Sequence, residues 1–148
     1  LTKEYITYKD PKNDTGFAGA TRLENAKKMH EFYSVLVQWL SLKNRGIKIS
    51  QYIKENNYNS VCIYGMRELG QRLYEELALD DIDMPYAIDK NADNISCELK
   101  IIKPEEIVNE PELIIVTAIH YYDQIYDDLK KCTKKSDIVS IEDIFFAL

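Results

Sequence analysis

The stretch from Ser60 to Gly70 constrains the fold most, because its apolar run ends in a glycine and leads directly into a helical pattern. In the strand–turn–helix that binds dinucleotide pyrophosphates, a first glycine makes the tight turn and a second lets the backbone approach the phosphates. A third lets the helix pack on the strand. Gly65 and Gly70 occupy the first and third places, and Arg67 stands at the second. The stretch therefore predicts a nucleotide-type fold and leaves its ligand open.

From residue 60 onward, strand-like and helix-like segments alternate, which favours parallel strands joined by crossover helices. The continuous apolar run from Leu113 to Thr117 is typical of a strand buried on both faces. Right-handed crossovers then give an α/β sheet of four to five mostly parallel strands in the order 3-2-1-4-5, a Rossmann-like fold with a ligand crevice where the winding reverses. We expect strands at 60–65, 85–89, 100–102, 113–117 and 137–141, and helices at 68–78, 104–109, 120–132 and from 142 onward.

A helical extension precedes this fold, so we expect two parts, residues 1–57 and residues 58–148. The first part holds ten Lys and Arg against six Asp and Glu, whereas the second holds nine against nineteen. An acidic second part repels the phosphate backbone, so no nucleic-acid partner is expected. The basic first part is suited to docking on the acidic part or on a partner.

The extension begins with turn and loop signals in residues 1–20 and continues with a capping box at Thr21 to Glu24, which would start a helix of residues 22–45. Ser50 would cap a short second helix. Apolar residues cover a wide face of the long helix, with Met29, Phe32, Tyr33, Leu36 and Leu40 on one stripe and Val35, Trp39 and Leu42 on the next. Such a face requires more than one cover, so we expect a homodimer through residues 22–45 or a docked partner domain.

The cysteines indicate a reducing cytoplasm. Cys62, Cys97 and Cys132 are odd in number and show no Cys-x-x-Cys spacing, so neither a disulfide framework nor a metal site is expected. No apolar run approaches the roughly 20 residues that span a bilayer, so membrane insertion is not expected. Because the chain begins at Leu1, we interpret it as a segment of a longer protein whose partner domain would hold the chemistry.

The residues from Gly65 to Gly70 would place the amino end of a helix at the end of the first strand, where free N–H groups and the helix dipole favour an anion. The candidate ligand contacts here are Gly65, Met66, Arg67, Glu68 and Gly70. Arg67 either grips a phosphate or carboxylate with its guanidinium, or points to solvent and blocks the close approach of a pyrophosphate. A purely structural turn is the alternative for the whole segment.

Two other strand ends supply candidates. Asp89 follows Gly70 by nineteen residues, in the place where an acidic residue accepts hydrogen bonds from a ribose, and Lys90 beside it would accommodate a further phosphate. The alternative is that Asp89 only begins a polar turn. Thr117 and Ala118 end the fourth strand at the same edge of the sheet, where small residues leave room for a ligand.

Candidates for proton transfer are few. A histidine can serve as an acid or a base at neutral pH, so His120 is the one candidate, with a role at the start of a helix or on the surface as the alternative. Tyr126 and Lys130 reproduce the Tyr-x-x-x-Lys spacing of short-chain dehydrogenases, but they lie in an amphipathic helical pattern, so we interpret the spacing as coincidence.

Residues 60–141 resemble a compact Rossmann-like domain of bacterial cell-surface polysaccharide proteins, in particular the amino-terminal nucleotide-sugar-binding domain of sugar O- and N-acetyltransferases. The likeness is carried by the glycine turn and by the segments Tyr86–Asp89, Pro104–Glu106 and Ile114–Ala118. It implies that the ligand site is lined by Gly65, Gly70, Asp89, Thr117 and Ala118. This chain departs from the family in having Arg67 in place of a glycine and Leu69 where a histidine is common. Acetyl transfer is not implied.

Three functions follow as expectations. The first is a non-catalytic or accessory module that binds a nucleotide, in particular a nucleotide-sugar, for a glycosyltransferase-type partner in surface-polysaccharide assembly. The second is a small NAD(P)-dependent oxidoreductase or epimerase, with Asp89 on the ribose and His120 or Tyr126 transferring protons. The third is a degenerate fold kept for assembly.

Overall fold

The computed structural model describes residues 16–148, with side chains from residue 21 onward, so the predicted signals before residue 16 lie outside the described residues. The chain divides into two units, residues 1–41 and residues 42–148. Helix α1 (Gly16–Asn44) forms the described part of the first unit and ends just inside the second. None of the described helices is long and apolar enough to cross a membrane.

The second unit is an α/β fold built on a five-stranded, all-parallel sheet in the order β3-β2-β1-β4-β5. The predicted fold class, strand order and N-terminal helix are therefore confirmed. Val61 pairs with Leu113 and Tyr64 with Val116, so the central strands are fully in register. The strands are β1 (Val61–Tyr64), β2 (Ala87–Ile88), β3 (Ile101–Ile102), β4 (Leu113–Val116) and β5 (Asp137–Ser140).

Four helices of the second unit follow the sequence pattern closely, and they are α2 (Ile49–Glu55), α3 (Glu68–Leu79), α4 (Tyr122–Cys132) and α5 (Ile141–Ala147). The expected helix at 104–109 is wrong, because only a 3₁₀ turn forms at Pro104–Glu106 and Ile107 is already extended. The β-branched Ile107 and Val108 and the following Asn109 have low helix propensity. Further 3₁₀ turns lie at Ala92–Asn94 and Ile119–Tyr121.

The two predicted helix starts in the extension are also wrong. Helix α1 begins at Gly16, so Thr21 lies inside it instead of capping it. Helix α2 has Lys48 at its N-cap, and Ser50 instead donates its hydroxyl to Asp80 Oδ2 at 2.7 Å. A side chain that could cap a helix is here used for a contact between distant segments, which local sequence does not reveal.

Alternate residues of each strand point to opposite faces of the sheet, and helices cover both faces. On one face, helix α4 packs through Ile125 and Leu129 onto a core that contains Cys62, Tyr64 and Val116. On the other face, α3 contacts β1 and α2, and α2 contacts α5. Burial on both faces explains why β1 and β4 are fully buried along their length.

Candidate functional site

The candidate site lies at the carboxyl ends of β1 and β4, the two central strands. The chain leaves β1 towards β2 and leaves β4 towards β5, on the opposite side. Loops that depart in opposite directions open a crevice between them, and ligands of parallel α/β sheets bind in such crevices. Gly65 follows β1 here and Thr117 follows β4.

Gly65 makes the turn out of β1, and two constraints require a glycine. Its φ is +96°, a backbone conformation that side chains disfavour. A Cβ there would lie 2.9 Å from Thr117 Oγ1 and 3.3 Å from the backbone nitrogen of Ala118. The N–H of Gly65 donates to the carbonyl of Ile88 at 2.8 Å, so the turn is also attached to the end of β2.

Gly70 lies in the first turn of α3 and packs directly against that turn. A Cβ on Gly70 would overlap the carbonyl oxygen of Gly65 and lie 2.8 Å from the carbonyl carbon. Only a residue without a side chain allows the helix to approach so closely. The two glycines thus have the geometry that the fingerprint requires at its first and third positions, and they hold the amino end of α3 beside the crevice.

Thr117 connects the two sides of the crevice. Its side chain is buried, and Oγ1 is 2.5 Å from the Gly65 carbonyl oxygen and 3.2 Å from that of Tyr64. The hydroxyl therefore donates to the backbone of the neighbouring strand end. Ala118 beside it is half-buried. Thr117 positions the glycine turn, and Ala118 packs closely against it, since a Cβ on Gly65 would lie 3.4 Å from that of Ala118.

Asp89 is buried, with 7% of its surface exposed, and its carboxylate is used within the protein. Oδ2 accepts the N–H of Met66 at 2.9 Å, and Oδ1 accepts the N–H of Asn91 at 2.8 Å. The carboxylate thereby attaches the glycine turn to the end of β2. This position at the edge agrees with the sequence-based expectation, but much of its hydrogen-bonding capacity serves the fold.

Met66 is fully buried and has both of its backbone groups engaged. Its N–H donates to Asp89, and its carbonyl accepts from Gln71 Nε2 at 3.2 Å. Of the six residues from Gly65 to Gly70, Met66 therefore offers a ligand neither side chain nor backbone. Its thioether instead packs beneath Gly70, at 3.4 Å from the position of a Cβ there.

Arg67 stands at the N-cap of α3, and its exposed side chain forms no capping hydrogen bond. The first amides of an α-helix have no partner inside the helix, and this helix end has no side-chain cap. Among the described residues, Arg67 forms no ion pair, whereas Lys90 contacts Asp128 at 3.4 Å. Glu68, exposed in the first turn, brings negative charge to the same end.

The candidates for proton transfer are His120, in the turn after β4, and Tyr126 with Lys130, on α4. His120 is half-buried in the 3₁₀ turn after β4, with its ring edge-on to that of Tyr121. Lys130 Nζ lies 5.3 Å from the centre of the Tyr126 ring on α4, the geometry of a cation–π contact. Tyr126 packs against the hydrophobic core on the α4 side of the sheet. In the described residues, His, Cys, Asp and Glu form no cluster that could hold a metal ion.

Tyr64 is a residue that the sequence analysis missed. It ends β1, and its buried hydroxyl forms no hydrogen bond among the described residues. Burial first, and the nearby carboxylates of Asp89 and Asp128 after it, raise the pKa of Tyr64 to about 12, so the phenol stays neutral at pH 7. The signal in the sequence is a single hydroxyl-bearing aromatic residue at the end of an otherwise apolar strand.

The site therefore consists of a glycine turn, an uncapped helix end with an unpaired arginine, and a buried aspartate that fixes the turn. This arrangement can receive an anion, and it contains no evident acid–base pair among its described residues. Comparison of the chain with family models, curated proteins and solved structures gives no match, so its function has to be inferred from this geometry.

Proposed function

We propose that the second unit is a binding module for a nucleotide ligand and that it places the ligand's phosphate at the amino end of α3. The observation that carries the proposal is the packing of Gly70 against Gly65, because it holds the uncapped end of a 12-residue helix at the crevice of a parallel sheet. Free amides and the helix dipole both favour negative charge there. Fold alone would not support a function, so the proposal rests on these atoms.

Arg67 determines which anion fits. Glu68 lies in the same turn and opposes an incoming phosphate, so a cation is required to balance it. The guanidinium of Arg67 is exposed and unpaired among the described residues, and it can meet a phosphate with two hydrogen bonds. Arg67 therefore favours a phosphate that its guanidinium can reach, and its side chain hinders the close approach to the second position of the turn that a dinucleotide pyrophosphate makes.

Asp89 and Lys90 would face the remainder of the ligand. Each oxygen of the Asp89 carboxylate accepts one amide and retains a lone pair, so a ribose hydroxyl can donate to it without displacing Met66 or Asn91. Lys90 is exposed and only loosely paired with Asp128. Ala118 is half-buried beside the glycine turn, and the sugar would pack against it.

The resemblance to acetyltransferase domains extends the proposal to a nucleotide-sugar ligand and to an accessory role beside a glycosyltransferase-type partner in surface-polysaccharide assembly. A cytoplasmic location accords with the free thiols of Cys62, Cys97 and Cys132. The competing function is a nicotinamide-dependent oxidoreductase or epimerase, which would need a cofactor pyrophosphate where Arg67 now stands.

Calorimetric titration tests the proposal with UDP-glucose, GDP-mannose, NAD⁺, coenzyme A and inorganic phosphate. We expect a nucleotide-sugar to bind, and Arg67→Ala to weaken it by roughly tenfold or more, as for a lost charge-assisted hydrogen bond. The control is Arg72→Ala on the same helix, which removes only a surface ion pair with Glu75 and should leave affinity unchanged. No binding by any nucleotide, or equal binding of phosphate alone, would contradict the proposal.

Arg67→Gly separates the two ligand classes, because it restores the second glycine of the fingerprint. If Arg67 grips the ligand, this variant loses nucleotide-sugar binding. If Arg67 instead blocks a pyrophosphate, the variant gains affinity for NAD⁺. A gain for NAD⁺ would favour the nicotinamide alternative.

A further inference from the structure

Helix α1 exposes a row of large apolar side chains within the first unit. Leu23, Tyr33, Leu36, Val37 and Leu40 are 75%, 65%, 41%, 48% and 58% exposed, and we call them the exposed stripe. On the opposite side of the same helix, Val35 and Trp39 are buried. Water contact with a contiguous apolar patch is unfavourable, and such patches mark interaction surfaces on soluble proteins.

Three residues of the exposed stripe continue a line of half-buried Ala26 and Met29 with the spacing of a coiled-coil seam. Ala26, Met29, Tyr33, Leu36 and Leu40 follow one another at intervals of three and four residues, the a and d positions of a heptad repeat. Val37 and Leu23 lie directly beside this line and widen it. A repeat of 3.5 residues keeps the same side chains facing a single partner helix along the whole contact.

Charge along the seam is compatible with pairing between identical helices. Lys27, Lys28, Glu24 and Glu31 occupy the b, c and f positions of the repeat, on the side away from the seam. Between Leu23 and Leu40, the a, d, e and g positions hold no Lys, Arg, Asp or Glu. Two copies would therefore meet without bringing lysines or glutamates of like charge into contact.

The area of the stripe agrees with a dimer. Burial of five side chains with these exposed fractions on each of two copies removes on the order of 1,200 Å² from water, the lower end of the range for specific interfaces. A self-complementary stripe that meets its own copy forms the isologous contact of a two-fold dimer.

We propose that the exposed stripe of α1 binds the same stripe of a second copy of this chain, through knobs-into-holes packing of Tyr33, Leu36 and Leu40. This interaction is independent of the nucleotide site in the second unit. The homodimer expected from the sequence would then form through these side chains.

Sedimentation equilibrium of the full chain at concentrations up to about 100 μM tests this proposal. We expect the parent protein to have the mass of a dimer. Leu36→Lys combined with Leu40→Lys should raise the dimer dissociation constant by roughly a hundredfold or more, since the lysines would be buried without partners. Leu79→Lys is the control for an added lysine, because Leu79 is 84% exposed on α3; it adds one positive charge, whereas the double variant adds two.

Leu36→Ala combined with Leu40→Ala distinguishes loss of the dimer contact from unfolding of the helix. Alanine favours helix and removes apolar side-chain atoms from the seam without adding charge. Helicity measured by circular dichroism should therefore persist while dimer affinity falls. A parent protein that is monomeric throughout this range would overturn the proposal. A dimer that survives both double variants, or is lost in the Leu79→Lys control, would also overturn it.

Discussion

The carboxylates at the two edges of the sheet differ in their burial and in the backbone amides that they accept. At the amino edge, Glu110 and Glu112 lie near the surface and accept backbone N–H groups of neighbouring segments, including those of Asn59, Lys134 and Lys135. At the carboxyl edge, the carboxylate that holds the loops together is Asp89, and it is buried.

The difference supports the proposal that a ligand binds at the carboxyl edge. At the amino edge, carboxylates satisfy amides of adjoining loops. At the carboxyl edge, buried groups fix the glycine turn from below, while the first turn of α3 has no side-chain cap and Arg67 has no ion pair among the described residues. An uncapped helix end favours an anion, so this contrast supports the phosphate site proposed above.

The largest effect should come from Gly70→Ala at the carboxyl edge. A methyl group there overlaps the backbone carbonyl of Gly65, and a carbonyl in a packed turn cannot move aside as a flexible side chain can. We expect the free energy of unfolding to fall by roughly 3 kcal/mol, as for severe overpacking. Urea denaturation followed by circular dichroism measures the loss.

Gly46→Ala is the control for that substitution. Gly46 has a φ of +72° after α1, yet a Cβ there meets no atom within 4 Å. The change should cost only about 1 kcal/mol, the strain of the backbone conformation itself. Equal losses at the two glycines would mean that the close contact of α3 with the turn is unimportant.

Gly65 and Gly70 illustrate what local sequence predicts well. The strand order, the glycine turn and the helix after it follow from apolar runs and glycine spacing, because short-range sterics and burial decide them. The starts of α1 and α2 do not follow, since Thr21 and Ser50 match capping signals but do not stand at the N-caps. Whether a polar residue caps a helix or contacts a distant segment depends on tertiary structure.

The next largest effect should come from Asp89→Ala, compared with Glu112→Ala at the other edge. Removal of Asp89 leaves the buried N–H of Met66 without an acceptor, which costs about 2 kcal/mol. Removal of Glu112 frees the N–H of Asn59 at an exposed position, where water replaces the carboxylate, and should cost less than about 1 kcal/mol. Similar losses in thermal or urea denaturation would show that burial does not distinguish the edges.

For Asp89, the sequence predicts the position but not the hydrogen bonds. Its position at the end of β2 follows from the sequence, but its bonds to Met66 and Asn91 depend on how the turn approaches the strand. The same holds for Tyr64, whose hydroxyl becomes buried only when the sheet and α4 come together. Loss of ligand binding in an Asp89 variant must therefore be separated from loss of stability.

The smallest effect should be a pH dependence at the amino edge, where Glu110 accepts N–H groups of Lys134, Lys135 and Ser136. The N–H of Lys135 first, and those of Lys134 and Ser136 after it, lower the pKa of Glu110 below its ordinary value of 4.5. A carboxyl group whose pKa is lower in the folded state stabilises the fold at pH above its unfolded value. That contribution is lost as the pH falls through the folded value.

Glu110→Gln keeps the shape and the acceptor oxygen but does not titrate. We expect the parent protein to exceed this variant in stability by about 1 kcal/mol or less at pH 7, since Glu110 is only partly shielded from solvent. The difference should hold down to about pH 5 and shrink below pH 4.5, where Glu110 takes up a proton. Glu98→Gln at an exposed position controls for the loss of one negative charge. A difference that stays constant through this range would show that the backbone amides at the amino edge do not bind the ionised form preferentially, and the contrast between the edges would then rest on Asp89 and Gly70 alone.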